Sequence, residues 1–200
     1  MTPDVAAAAT RPRVEGDREQ EILDAALEVL TDVGYDRLTM DAVAQRAKAS
    51  KATLYRRWSS KAALVVDALG RMKAPPVLPD TGDLRTDLVT AFCGMGGLTD
   101  HDTTATLGAV ITAVSTDPEF AREFHTQVVG PKAAVSRTIY ERARARGDVR
   151  DDIDLDILAP ALAGIVLHRV FILGERPDAQ LIERVIDQII LPAVRPQAGI

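Results

Sequence analysis

Residues 50–61 read SKATLYRRWSSK, which sets Lys51, Arg56, Arg57 and Lys61 within twelve positions, with Tyr55 and Trp58 among them. Cationic side chains interleaved with hydroxyls and an aromatic ring can neutralise phosphates, donate hydrogen bonds to them and lie against a sugar–phosphate backbone. The wider stretch from Arg37 to Lys61 carries seven basic residues and one acidic residue, Asp41. Yet the 200-residue chain is acidic, with a formal net charge of -5. Residues 1–73 hold twelve Lys and Arg against eleven Asp and Glu; residues 74–200 hold twelve against eighteen. Positive charge is gathered where a polyanion would bind and is outweighed elsewhere.

Other residues that could do chemistry fall short of a site. Cys93 is the only cysteine, so neither an intramolecular disulfide nor a cysteine zinc cluster can form, and a reducing cytoplasm fits. CGMGG at 93–97 has no following Lys-Ser/Thr and no preceding strand, so it reads as a helix end rather than a phosphate loop. DDIDLDI places Asp152, Asp154 and Asp156 at calcium-loop spacing, but the required glycine and closing glutamate are missing. Asp154 there reads as a helix cap. His101, His125 and His168 are too scattered for a metal. His168 lies in an apolar helix, read first as a core histidine and second as a polar anchor for a ligand. No nucleophile–base pair stands out. The expectation is no catalytic residue, no metal and no cofactor; a small helical enzyme with incidental nucleic-acid binding is the weaker alternative. A structural nucleoid protein would need a basic chain.

The elements that must position the basic segment are helical. The apolar content is 46% with only 4% aromatic, aliphatic and alanine-rich, and the periodicity is helical almost throughout. Asp17 is the expected N-cap of a first helix with an apolar face from Ile22 to Val33, stopped by Gly34. Thr39 caps a short helix over 40–47, Ser50 another over 51–58, and Ser59 or Ser60 a fourth running to about 72. APPVLP at 74–79 then breaks the chain. Further helices are expected near 83–94, 103–115 and 117–125, the last continuing through a kink at Pro131 to about 146, and near 154–173 and 178–194. The fold class is therefore all-α: about nine helices, with a small helix-turn-helix head and a larger helical-bundle body. Residues 1–16 read as a disordered leader, 17–74 as the head and 75–200 as the body. The apolar run 155–173 contains Asp156, Pro160, His168 and Arg169, and reads as a buried helix rather than a membrane span.

Two short helices joined by about three residues, the second entered through Ser50, describe a helix-turn-helix. Ala44 is small where the helices must approach, and Val43, Ala47 and Leu54 are apolar where they face the first helix. The stretch LTMDAVAQRAKASKATLYRRWSSKAALVVDAL resembles the DNA-binding domain of the TetR family of bacterial transcriptional repressors. Order, spacing and residue type agree at Gly34, Tyr35, Thr39, Val43, Ala44, Ala47, Ser50, Thr53, Leu54, Tyr55, Trp58, Lys61 and Leu64. The resemblance covers about residues 20–69.

The resemblance implies a double-stranded DNA operator, met by Thr39, Ser50, Lys51, Ala52, Thr53, Tyr55, Arg56, Arg57 and Lys61. Lys51, Ala52 and Thr53 take the base-reading start of the recognition helix; Thr39, Tyr55 and Lys61 take the phosphates. Lys48 departs from the family, which has glycine in this turn. If positive φ is needed there, lysine costs about 1 kcal/mol, and the turn is strained or reshaped; Lys48 then adds a phosphate contact. The family also implies a small-molecule effector in the body, hydrophobic or amphipathic. The expected walls are Phe92, Met95, Leu107, Ile111, Phe120, Phe124, Val128, Tyr140, His168 and Phe171. The last two helices are apolar enough to predict a homodimer interface through Leu162, Ile165, Leu181, Val185, Ile186 and Ile189. The expected function is a cytoplasmic, ligand-released repressor on a palindromic operator.

Overall fold

A computed structural model describes residues 15–72, 76–94 and 101–195; the side chains of residues 15, 94, 101–105 and 107 are not among those described. The helices are α1 (Glu15–Arg37), α2 (Met40–Arg46), α3 (Lys51–Arg57), α4 (Lys61–Arg71), α5 (Leu84–Gly94), α6 (His101–Thr116), α7 (Pro118–Phe124), α8 (Gly130–Arg146), α9 (Leu155–Phe171), α10 (Ala179–Val185) and α11 (Leu191–Val194). π-helical turns at His125–Val129 and Ile186–Ile190 carry α7 into α8 and α10 into α11. The described residues thus form nine continuous helical runs, with no strand among them.

Sequence chemistry explains most boundaries. Thr39, Ser50, Ser60, Asp117, Asp154 and Asp178 are N-caps whose side chains accept backbone N–H groups of the following turn. Asp17 is not a cap: α1 already begins at Glu15, so Asp17 lies in the first turn, where its charge suits the helix dipole. Both π turns directly precede a proline-bearing turn. Gly130 N–H donates to His125 O and Leu191 N–H to Ile186 O, five residues back, just before Pro131 and Pro192. Proline has no N–H and crowds the carbonyl four residues earlier, so the wider turn accommodates it without breaking the helix. Gly34 adopts φ 77° and ψ 167° inside α1, a conformation essentially confined to glycine, and there the chain turns.

Apolar side chains form two cores. The first joins α1–α4 to Val110 and Ala113 of α6 and Phe120 of α7. The second is built from α5, α8, α9, α10 and α11 around Leu88, Tyr140, Leu162 and Ile182. The chain leaves the head at the proline-rich break, but the first core does not stop there: α1 packs on α6, and α4 on α7.

Candidate nucleic-acid interface

The turn between α2 and α3 closes as a Schellman motif. Lys48 N–H donates to Gln45 O at 3.2 Å and Ala49 N–H to Ala44 O at 2.8 Å. Such a turn needs a left-handed residue, and Lys48 supplies it at φ 51°, the only non-glycine with positive φ among the described residues. The departure singled out in the sequence is therefore real strain. Arg18 Nη2 donates to Lys48 O at 2.7 Å and helps to hold the turn from α1. Val43, Ala44, Ala47, Leu54 and Trp58 are buried behind the motif, and Trp58 Nε1 donates to Asp67 Oδ2 at 2.9 Å. One face of α3 is thereby fixed to the core.

The opposite face is open. Lys51, Ala52, Tyr55, Arg56 and Arg57 are exposed, as are Thr39, Lys48 and Ser50; Thr53 is half-buried. Tyr55 keeps 54% of its surface in solvent. Thr39 Oγ1 accepts Ala42 N–H and Ser50 Oγ accepts Thr53 N–H, both at 3.1 Å. A capping hydroxyl retains its own proton, which it can donate to a phosphate. Ser50 Oγ lies 2.8 Å from Thr53 Oγ1, so one hydroxyl of that pair donates to the other.

Several cations are matched by acids. Lys51 Nζ lies 2.5 Å from Asp41 Oδ2 and Arg57 Nη2 lies 3.2 Å from Glu19 Oε1. The Lys51–Asp41 pair is about three-fifths exposed on both sides, so it is weak and a phosphate or base edge can displace it. Arg46 turns the other way, to Glu28 and Asp32 of α1, and Arg37 bonds its own helix at Val33 O. The seven basic residues of the Arg37–Lys61 stretch thus divide between two surfaces, and only some of them face outward with α3. Arg56 and Lys48 have no acidic partner among the described residues.

Lys61 is half-buried and internally held. Its Nζ lies 4.2 Å from the Tyr35 ring centroid and donates to Tyr35 O at 3.1 Å. The Tyr35 hydroxyl donates to Asp117 Oδ2 at 2.7 Å, while Asp117 Oδ1 accepts the N–H groups of Glu119 and Phe120. The Phe120 ring meets Tyr35 at 4.7 Å. Burial, then the Asp117 carboxylate, raises the Tyr35 phenol far above its ordinary range, so it is a donor at neutral pH. The same bond, followed by the backbone N–H of Phe120, holds Asp117 below the usual carboxylate range. This junction of α1, α4 and α7 was not foreseen. Tyr35 and a helix opening near 117 were visible in the sequence; their meeting across 82 residues was not.

The expected effector walls are divided. Phe120, Phe124 and Val128 belong to or pack on the first core, with Phe120 and Phe124 stacked at 5.8 Å. Phe92, Tyr140 and Phe171 belong to or pack on the second. Ile111 and His168 are exposed, so His168 is neither a core histidine nor an enclosed anchor. Met95 and the side chain of Leu107 lie outside the described residues. The expected interface is corrected in the same way. Leu162, Leu181, Val185 and Ile186 are buried inside the protomer, because α9 packs on α8 and α10, and α10 also packs on α5. Ile165 is half-buried and Ile189 is 49% exposed; Ile157 and Ile172 are 72% and 71% exposed.

A helix-turn-helix head with a solvent-facing second helix, set on a helical body, defines a DNA-binding regulator by its architecture. The model of the bacterial regulatory proteins of the tetR family matches residues 22–68, and that of the tetracyclin repressor-like C-terminal domain matches residues 78–189. The chain is 36% identical over 194 residues to an HTH-type transcriptional regulator of Mycobacterium tuberculosis, covering 95% of this chain and 94% of that one. It is 35% identical over 184 residues to the DNA-binding transcriptional repressor TetR of Mycobacteroides abscessus, covering 90% and 96%. A crystal structure of a TetR family transcription regulator aligns at TM-score 0.64 and 30% identity, over 90% of this chain and all of that one. The chain belongs to the TetR family: it is a transcriptional regulator that binds DNA, not an enzyme. No described helix is long and apolar enough to cross a membrane.

Proposed function

We propose that the chain is a homodimeric repressor whose paired α3 helices read a palindromic operator, and which a small amphipathic effector releases. The carrying observation is α3 itself: Leu54 fully buried on one side and Lys51, Ala52, Tyr55, Arg56 and Arg57 exposed on the other, which suits the major groove. In this reading residues 17–74 are the DNA-binding domain and 75–200 carry effector binding and dimerisation. Lys51, Ala52 and Thr53 meet base edges; Thr39, Lys48, Ser50, Tyr55, Arg56, Arg57 and Lys61 meet phosphates. The repressor named in Mycobacteroides abscessus supports the sign of regulation. A protein that acts on a DNA operator works in the cytoplasm.

The test begins with selection of operator fragments from genomic DNA. Affinity for the selected operator should fall steeply with salt, the log–log slope scaling with phosphates neutralised. Tyr55→Phe should weaken all sequences alike, by roughly 0.5–1.5 kcal/mol for one lost hydrogen bond. Lys51→Ala or Thr53→Ala should instead change which bases are selected, with about 1–3 kcal/mol of discrimination at stake per contact. A salt-independent affinity, or unaltered base preference in both α3 variants, would remove the proposed interface.

A further inference from the structure

Besides Arg144 Nε near its C-terminal end, α8 carries two polar groups that the fold leaves unanswered. The Tyr140 side chain is fully buried in the second core, and its hydroxyl has no hydrogen-bond partner. Lys132, two turns earlier, is half-buried and forms no ion pair among the described residues. Burial alone pulls its ammonium below the usual lysine range. Between them Ser136 is buried and donates to Ala159 O of α9 at 3.0 Å, which fixes the inward direction of this face. Positions 132, 136 and 140 fall within roughly 80° of arc and about 12 Å of helix length.

The location is as informative as the groups. Val128 packs on the first core and Val135 on the second, so Lys132 sits where the α7–α8 run crosses from one core to the other. The π turn that admits Pro131 ends at Val129, three residues before Lys132. Across the same boundary α6 approaches α9, with Phe171 Cε1 4.0 Å from the place of a Cβ at Gly108. An uncompensated cation and an unpaired buried hydroxyl both oppose folding. They are retained most simply if a bound molecule answers them.

We propose that Lys132 and Tyr140 are the polar anchors of the effector site, and that the effector is a largely apolar monoanionic acid with a second oxygen acceptor. Its carboxylate pairs with the Lys132 ammonium, and its far oxygen accepts from the Tyr140 hydroxyl. Apolar walls from Phe92, Val135 and Phe171 cover the rest. This deepens the effector-released reading above and rests on it.

The test uses the full-length protein with 4-methoxycinnamate, its methyl ester and cinnamate as probes, measured calorimetrically. The wild type should prefer the acid to its ester by roughly tenfold or more, as a charge-assisted hydrogen bond implies. Lys132→Met should lose that preference while binding the ester as the wild type does. Tyr140→Phe should lose the preference for 4-methoxycinnamate over cinnamate. Both variants should unfold at a higher temperature than the wild type, since one removes a buried hydroxyl and the other a half-buried ammonium, neither with a partner among the described residues. Equal acid and ester affinities, no acid binding at millimolar concentration, or an unchanged preference in Lys132→Met overturns the proposal. A lowered melting temperature in Tyr140→Phe overturns it too, because the hydroxyl would then have a structural partner. Operator binding separates the two readings. An acid held by Lys132 that leaves the operator bound sinks the effector reading and leaves the anchors standing. Release by ester and acid alike does the reverse.

Discussion

Lys48 occupies the left-handed position of the α2–α3 turn, where the backbone asks for glycine. That conformation costs an ordinary residue about 1–2 kcal/mol, while glycine would lose about 0.4–1 kcal/mol through its freer unfolded chain. Lys48→Gly should therefore stabilise the protein by about 0.5–1 kcal/mol, read from urea unfolding. The same variant should bind operator with a salt slope smaller by about 0.9, the equivalent of one phosphate contact. Lys48→Asn separates the causes: it tolerates the backbone and drops the charge, so it should lose the same slope with less gain in stability. If the glycine variant is stabilised and its slope is unchanged, the strain has no role on DNA. Strain of this size at an exposed cation beside the recognition helix is what a functional constraint would leave behind. The sequence showed the lysine but not φ; only the turn's hydrogen bonds fix that.

At the level of elements, the Tyr35–Asp117 bond is the polar tie between the head and α7. Tyr35→Phe removes one hydrogen bond to a carboxylate and should cost about 1–2 kcal/mol. The pH dependence has a definite sign. Asp117 is held below the usual carboxylate range, so its contribution is complete above about pH 4 and is lost as pH falls through the depressed value. Asp117→Asn should flatten that acid-side loss, measured as unfolding free energy against pH. Tyr35→Phe should do so as well, since its phenol is the largest cause of the depression. An acid limb unchanged in both variants would show that the tie contributes nothing. Caps were legible at Thr39, Ser50, Ser60 and Asp154, which carry acceptors at the right offset. So was the helix that runs on through Pro131. Partnership was not legible: an apolar stripe says that a helix face is covered, never by what. Hence Phe120, read as a pocket wall, packs on Tyr35 instead. Leu162 and Ile186, read as interface, lie inside the protomer for the same reason.

If the proposed effector binds in the body, it must act on DNA across the whole molecule, and the two cores define the path. α6 and α7 share a core with the head, whereas α5 and α8–α11 form the other, so the α7–α8 run is the continuous element common to both. A dimer built on the exposed edge of α9, Ile157 and Ile172, with Ile189 beyond α10, leaves the first core free to move against it. Ile189→Asp should dissociate the dimer at micromolar concentration, measured by sedimentation, with little loss of protomer stability. Ile186→Asp should unfold the protomer, because it places a charge in the second core. With two α3 helices set about 35 Å apart on successive major grooves, a small rotation of each head changes their spacing. A ligand can drive that change only by its differential affinity for the two states. About 2–3 kcal/mol of coupling would weaken operator binding roughly 30- to 150-fold. Linkage requires operator to weaken effector binding by the same factor, so both titrations should return one number. If they agree in the wild type, and Tyr35→Phe lowers both together, the Tyr35–Asp117 tie carries the signal between the cores. If Tyr35→Phe changes stability and leaves both couplings intact, the signal passes through apolar packing of α4 on α7.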